Sequence, residues 1–198
     1  MITLKTVLRS GGEYTADHVL RMRDMLDRYV DCPVRFVCYS DVDIPDVIVR
    51  PLQHDWPTWF SKIEIFRDVE DSFYIDLDMT INGNITDMVM ADSDFMALRN
   101  MNPRIGGIGS AMMKWRGDFT RIYNTFSDDP EYFMERHSNK IGTPMHGDQG
   151  FIFSVACNPE TGFKIDCFQD KFPDRISDFR TSKETDVKVY FGKRRPWK

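Results

Sequence analysis

Asp76 and Asp78 stand two residues apart, after the apolar run Phe73-Tyr74-Ile75 and just before the chain-breaking Asn82-Gly83-Asn84. In an extended chain, residues two apart point the same way. Both carboxylates are therefore expected to face one point at a strand end, where open α/β sheets bind ligands. Convergent carboxylates repel unless a cation or a proton neutralises them, and the simplest neutraliser is a hard divalent ion, Mn²⁺ or Mg²⁺. Spacing alone does not single this pair out. With 24 Asp in 198 residues, random placement gives about three Asp-X-Asp triplets. The chain has three, Asp41/Asp43, Asp76/Asp78 and Asp92/Asp94, and only the second follows a strand-like run and precedes a turn.

The elements that must position this pair are legible from hydrophobic period. Ile2 to Leu8 alternates as a strand, Arg9-Ser10-Gly11-Gly12 is a loop, and Thr15 caps a helix that runs to about Tyr29. Val34 to Tyr39 and Asp46 to Leu52 read as the next strands, which makes the opening a β-α-β unit of an open, largely parallel sheet. Thr58 to Phe66 reads as a helix with Trp59, Ile63 and Phe66 on its core face, and it leads into the carboxylate strand. Further on, Ile85 to Met90 is a helical segment and Phe95 to Arg99 a strand. Ile105 to Met113 is an apolar, Gly-rich stretch open to close approach by backbone or ligand. Asp118 to Phe126 and Glu131 to Arg136 read as helices, His146-Gly147-Asp148-Gln149-Gly150 as a polar turn, and Phe163 to Phe168 and Val187 to Phe191 as late strands. There is no internal repeat or linker, so residues 1–198 are expected to form a single domain.

Composition narrows the class. Apolar residues make up 41% and charged ones 29%, with a net charge of −5, which is ordinary for a soluble globular protein. The one basic run, Lys193-Arg194-Arg195, is too short for a nucleic-acid face and taken alone is a solvated tail. No apolar run reaches the roughly 20 residues of a membrane span, and Met1-Ile2-Thr3-Leu4-Lys5 lacks a secretory apolar core. Cys32, Cys38, Cys157 and Cys167 show no CxxC spacing and read as reduced thiols of a cytoplasmic protein; a zinc site from Cys157, Cys167 and a His is the alternative.

Four pieces in order carry a resemblance: Trp59-Phe60-Ser61-Lys62-Ile63-Glu64-Ile65-Phe66, Tyr74-Ile75-Asp76-Leu77-Asp78, Asp148-Gln149, and Gly192-Lys193-Arg194-Arg195-Pro196-Trp197. Over nearly its whole length the chain resembles GT-A fold nucleotide-sugar glycosyltransferases of the glycogenin and bacterial galactosyltransferase type. The resemblance implies an α/β, Rossmann-like domain with a mixed, mostly parallel sheet flanked by helices. It also implies hexosyl transfer from a nucleotide-sugar donor, a UDP-sugar, to a carbohydrate or other hydroxyl acceptor. By the same resemblance, Asp78 is the main ligand of Mn²⁺ or Mg²⁺ and Asp76 shares the metal and the ribose, while Lys193 and Arg195 touch the diphosphate. Thr6, Arg9 and Tyr14 are nucleotide candidates, Tyr14 as a stacking ring or as a surface residue. Asp148 and Gln149 would flank the donor sugar and acceptor, with a helix N-cap as the other role for Asp148. Lys62 would pair with an acid of the site or stay solvated. Gly109-Ser110-Ala111 stands where the family has Asn-Ser-Gly, so its sugar preference does not transfer. The family's late His metal ligand is also missing, because the stretch reads Lys188-Val189-Tyr190-Phe191-Gly192; His146 is the candidate substitute.

Two rivals share these residues. Asp76-Leu77-Asp78-Met79-Thr80 matches, letter for letter, the nucleophile motif of haloacid-dehalogenase-type phosphohydrolases. That motif normally ends the first strand of its domain, whereas here about three strands come first. The second rival is a carbohydrate- or partner-binding domain without turnover.

Overall fold

The computed structural model describes residues 1–157 and 164–197. The chain opens with strand β1 (Ile2–Leu8), helix α1 (Ala16–Tyr29) and strands β2 (Val34–Ser40) and β3 (Ile48–Pro51). Thr15 precedes α1, and its backbone N–H donates to His18 Nδ1 at 3.0 Å, so a side chain one turn in satisfies the helix entrance. A 3₁₀ segment (Thr58–Phe66) then leads to β4 (Ser72–Ile75) and the short β5 (Thr80–Ile81). Next come α2 (Thr86–Val89), β6 (Phe95–Arg99), β7 (Ile108–Trp115), α3 (Thr120–Asp128), α4 (Pro130–Ser138) and α5 (Gly147–Ala156). The chain closes through β8 (Ile165–Cys167), α6 (Phe168–Lys171), β9 (Ile176–Asp178) and β10 (Val187–Val189).

The seven-stranded sheet has the order β3-β2-β1-β4-β7-β6-β8. β3, β2, β1 and β4 are parallel, β7 runs antiparallel between β4 and β6, and β8 is parallel to β6. A small second sheet, β5-β10-β9, ties the segment after the carboxylates to the chain's end. β4 lies at the centre with all four residues buried, which is why Phe73-Tyr74-Ile75 runs apolar without alternation. Its side chains alternate between two cores: Phe73 and Ile75 pack with Leu4, Met22 and Met88, while Tyr74 packs with Phe60, Ile63 and Trp115. The sheet is thus covered on both faces, the three-layer α/β arrangement expected from the pattern.

Several elements differ from the sequence reading. Thr58–Phe66 is a 3₁₀ helix in which Phe60 through Phe66 are all buried, so it has no solvent face of the kind an amphipathic α-helix needs. The Gly-rich stretch is strand β7. Between Ala97 and Leu98 its pairing with β6 jumps from Met113 to Gly109, leaving residues 110–112 as a bulge. His146 to Gly150 is the start of α5 rather than a turn. β9 had no signal in the sequence, and Phe163, the expected start of a late strand, lies outside the described residues.

An ion cluster clamps the 3₁₀ segment to the sheet. The wholly buried Lys5 donates to the Ile65 carbonyl at 2.7 Å and pairs with Glu70 at 2.9 Å. Arg35 pairs with the same carboxylate at 2.7 Å, and Arg50 also bonds to it. Burial alone would raise the Glu70 pKa, but Arg50, Lys5 and Thr3 outweigh it and hold it at about 2. Lys5 moves the other way: its burial costs more than Glu70 returns, and its pKa falls to about 8. The Glu70 direction is carried by several partners at once, so the cluster's pH dependence lies on the acid side. A carboxyl with a depressed folded pKa contributes stability above its unfolded value of 4.5 and loses it as pH falls towards 2. Glu70→Gln is expected to cost roughly 3 kcal/mol near neutral pH and to flatten that acid loss, read as urea midpoints at neutral and acid pH. An unchanged neutral midpoint in the variant would show that the cluster does not clamp this segment.

Candidate active site

β4 ends at Ile75, and Asp76 to Met79 is a turn closed by the Met79 N–H donating to the Asp76 carbonyl at 3.2 Å. The carboxylates therefore converge through a turn, not through the pleat of a strand. Asp76 is held at the sheet by its N–H, which donates to the Ala111 carbonyl at 2.8 Å in the β7 bulge. The same bulge presents Ser110.

Lys62 is the hub. Its ammonium lies 3.0 Å from Asp76 and 3.0 Å from Asp148, and donates to Ser110 Oγ at 3.1 Å. Ser110 in turn donates to Asp148 at 2.6 Å. Tyr74, two residues before Asp76 and on the same side of β4, donates its hydroxyl to Asp76. Asp78 accepts from Tyr14 at 3.0 Å and lies 3.5 Å from the Arg195 guanidinium. Burial disfavours the Lys62 ammonium, but Asp148 and Asp76 outweigh that and hold its pKa above the usual lysine range. Burial raises Asp76 to about 6; Lys62 works against this and the neighbouring Asp78 adds to it. Asp78 is raised by burial as well, with Tyr14 and Arg195 pulling it back. The Tyr14 and Tyr74 phenols are raised by burial and by these carboxylates, so both stay protonated donors.

Two cavities meet at this cluster. The first, about 600 Å³, is lined by Arg9 to Tyr14, the 3₁₀ segment, Tyr74 and Arg195. The second, about 440 Å³, is lined by Asp78, the Arg99–Asn102 loop, Ser110, Asp148, Gln149 and Tyr190. Trp59, Lys62 and Asp76 line both.

Of the residues expected at the site, the structure gathers Asp76, Asp78, Lys62, Asp148, Gln149, Tyr14, Arg9 and Arg195. Lys62 is paired, not solvated. Asp148 lies inside the first turn of α5, whose N-cap is His146, so the capping role does not hold. Arg9 reaches the first cavity but is engaged by the His54 carbonyl at 2.8 Å and Asp55 at 2.9 Å. Tyr14 is not free to stack: its hydroxyl is on Asp78, Arg195 lies over its ring, and Trp197 meets its edge. Thr6 is fully buried inside β1 with its hydroxyl on the Ile75 carbonyl at 3.0 Å, and it lines neither cavity. Gly192 takes φ +67°, and the tail bends back so that Arg195 returns to Asp78 while Lys193 stays exposed and away from both cavities. His146 lines the second cavity, its Nδ1 3.2 Å from the His137 carbonyl. It does not complete a ligand set with Asp76 and Asp78: among the described residues no three His, Cys, Asp or Glu side chains are placed to hold one metal ion. Among the described residues, Cys157, Cys167 and a His are likewise not gathered into such a group.

Tyr74 and Trp59 were missed as site residues. The rule that aligns residues two apart also puts Tyr74 beside Asp76, so its signal was present. Trp59, read as core, is 43% exposed.

No helix among the described residues is long and apolar enough to cross a membrane. No protein-family model and no curated sequence matches the chain. Solved structures do match. A galactosyltransferase LgtC, described in complex with donor and acceptor sugar analogues, superposes with a TM-score of 0.65 at 12% identity, over 99% of this chain and 89% of that one. The apo glycosyltransferase GlyE of Streptococcus pneumoniae TIGR4 superposes with a TM-score of 0.71 at 14% identity, over 99% of this chain and 56% of that one. This chain thus spans a little over half of GlyE. The Asp-X-Asp turn follows the fourth strand and not the first, unlike the opening motif of the phosphohydrolases, and the fold around it matches glycosyltransferase structures. In architecture, this chain has the GT-A fold of glycosyltransferases.

Proposed function

We propose that this protein is a metal-dependent glycosyltransferase that moves a hexose from a UDP-sugar to a hydroxyl acceptor. The observation that carries the reading is the junction of two cavities at one cluster of carboxylates and cations, Asp76, Asp78, Asp148, Lys62 and Arg195. One cavity is large enough for a nucleotide, and the other for a sugar acceptor.

The residues present fit a hard divalent ion in part. Asp76 and Asp78 are oxygen donors whose charged forms are disfavoured chiefly by burial, a cost that a bound cation would offset. Two carboxylates without a third protein ligand suit an ion that completes its shell with substrate phosphates and water. Asp76 and Asp78 would hold it, and when bound it would neutralise charge developing on the diphosphate. Arg195, on the tail beside Asp78, brings a planar fork matched to phosphate oxygens. Lys62, whose three N–H groups are taken by Asp76, Asp148 and Ser110, keeps these side chains in fixed positions around the sugar. Ser110, Asp148 and Gln149 face the second cavity, where the acceptor oxygen replaces the diphosphate oxygen at the anomeric carbon.

A thermal-shift screen of nucleotide sugars with and without Mn²⁺ tests this, because a ligand bound only by the folded state raises its melting temperature. UDP-sugars are expected to stabilise the protein in Mn²⁺ and to be slowly hydrolysed without acceptor. Stabilisation without hydrolysis or transfer points to the binding domain without turnover. Phosphate release from a generic phosphomonoester, with no nucleotide-sugar effect, overturns the proposal.

A further inference from the structure

Trp59 takes no part in the carboxylate cluster, yet with Lys62 and Asp76 it forms the wall common to both cavities. At 43% exposure it is not a core residue, and it is not a loose surface ring either. A Cβ added to Gly147 would lie 3.1 Å from the indole nitrogen and 3.4 and 3.5 Å from two further atoms of the five-membered ring. Such similar distances put the Gly147 backbone against the face of the ring rather than beyond its edge. Gly147 has φ +66°, a conformation that favours glycine, so the absent side chain and the backbone together make the seat. His146 supports the indole with its centroid 5.6 Å away at 61°. The indole N–H has no hydrogen-bond partner among the described residues. A large ring is thus held rigidly from behind and left open in front.

Resting on the proposed function, we infer that the Trp59 indole is the platform for the transferred sugar ring of the nucleotide sugar. A sugar that leaves a diphosphate in one cavity and joins an acceptor in the other must cross the shared wall. Two residues of that wall, Lys62 and Asp76, are charged and paired with each other. Trp59 alone offers an apolar face, which the C–H face of a pyranose can cover, and its free N–H can reach a ring hydroxyl. Because the indole is already fixed by Gly147 and His146, little side-chain entropy is lost when the sugar binds.

The test compares UDP with UDP-glucose and UDP-galactose by calorimetry in Mn²⁺, for wild type, Trp59→Ala and Trp59→Phe. In wild type at least one UDP-hexose is expected to bind more tightly than UDP. Trp59→Ala is expected to weaken that UDP-hexose about 3- to 10-fold while leaving UDP unchanged, and Trp59→Phe to retain most of the difference. Circular dichroism and melting of the variants control for folding, and if Trp59→Ala is unstable, Trp59→Leu, which keeps an apolar side chain but no ring face, takes its place with the same expected loss. Equal weakening of UDP and UDP-hexose assigns Trp59 to the nucleotide and overturns the inference. Unchanged binding in Trp59→Ala overturns it too, as does a wild type that binds UDP-hexoses no better than UDP. Failure of wild type to bind UDP at all instead overturns the functional proposal beneath it.

Discussion

Asp78→Asn is expected to abolish metal-dependent donor binding while leaving the fold intact. Asp78 is nearly buried, and burial already pushes its carboxyl towards the neutral form. An uncharged amide of the same shape is therefore accepted: its oxygen still takes the Tyr14 hydroxyl, and Arg195 keeps Glu13 at 2.9 Å and the Gly192 carbonyl at 2.7 Å. What the amide cannot supply is the negative charge that a hard cation needs. Only Asp76 then remains, and Lys62 and Tyr74 already share that carboxylate. Affinity for a UDP-hexose in Mn²⁺ is expected to fall at least about 100-fold, with a melting temperature close to wild type. Calorimetry with and without Mn²⁺ reads both parts. Donor affinity unchanged in the variant would falsify the role given to Asp78.

The second large effect is at Lys62. Lys62→Met keeps the length and apolar stem but leaves Asp76 and Asp148 facing each other's charge at a nearly buried site. Removing one partner from such a cluster costs about 3–5 kcal/mol, because the charges left behind are uncompensated. Adding Asp148→Asn removes one of them and is expected to recover a substantial part of the loss, while Ser110 can still donate to the amide oxygen. The Lys62 pKa is raised in the folded state, so its contribution is complete below the usual value of 10.5 and is lost only as pH rises beyond it. The destabilisation is therefore expected at full size at neutral pH. Transfer activity is expected to fall in both variants, since the double variant restores charge balance but not the cation at the junction. Denaturant melts of the single and double variants decide it: a single variant as stable as wild type would show that Lys62 is not the hub.

These effects depend on features that differ in how far the sequence alone discloses them. The local pattern determined the parallel half of the sheet. Ile2–Leu8 and Val34–Ser40 alternate or run apolar, Thr15 precedes a helical period, and β4 carries the apolar run Phe73-Tyr74-Ile75 because both its faces are covered. It also singled out Asp76 and Asp78, through the strand before them and the turn after them. Such signals are short-range: period, capping and breakers act over one element.

The tertiary structure decided what those residues touch. Lys62, Asp76, Ser110 and Asp148 come from a 3₁₀ segment, a strand end, a bulge and a helix start, separated by up to 86 residues and joined only by packing. The bulge that presents Ser110 depends on pairing with β6, which no local pattern encodes. The tail's return to Asp78 depends on Tyr14 and Glu13, some 180 residues earlier in the chain. Thr6 and Lys193 lie outside both cavities, which the motifs do not disclose for the same reason: nearness to a motif in sequence does not say which way a side chain faces once β1 is buried and the turn at Gly192 is made. The sequence by itself determined which groups carry charge and where the sheet delivers two of them. Which cation sits between which carboxylates was settled by long-range contacts, whose energy exists only when the distant elements are packed together.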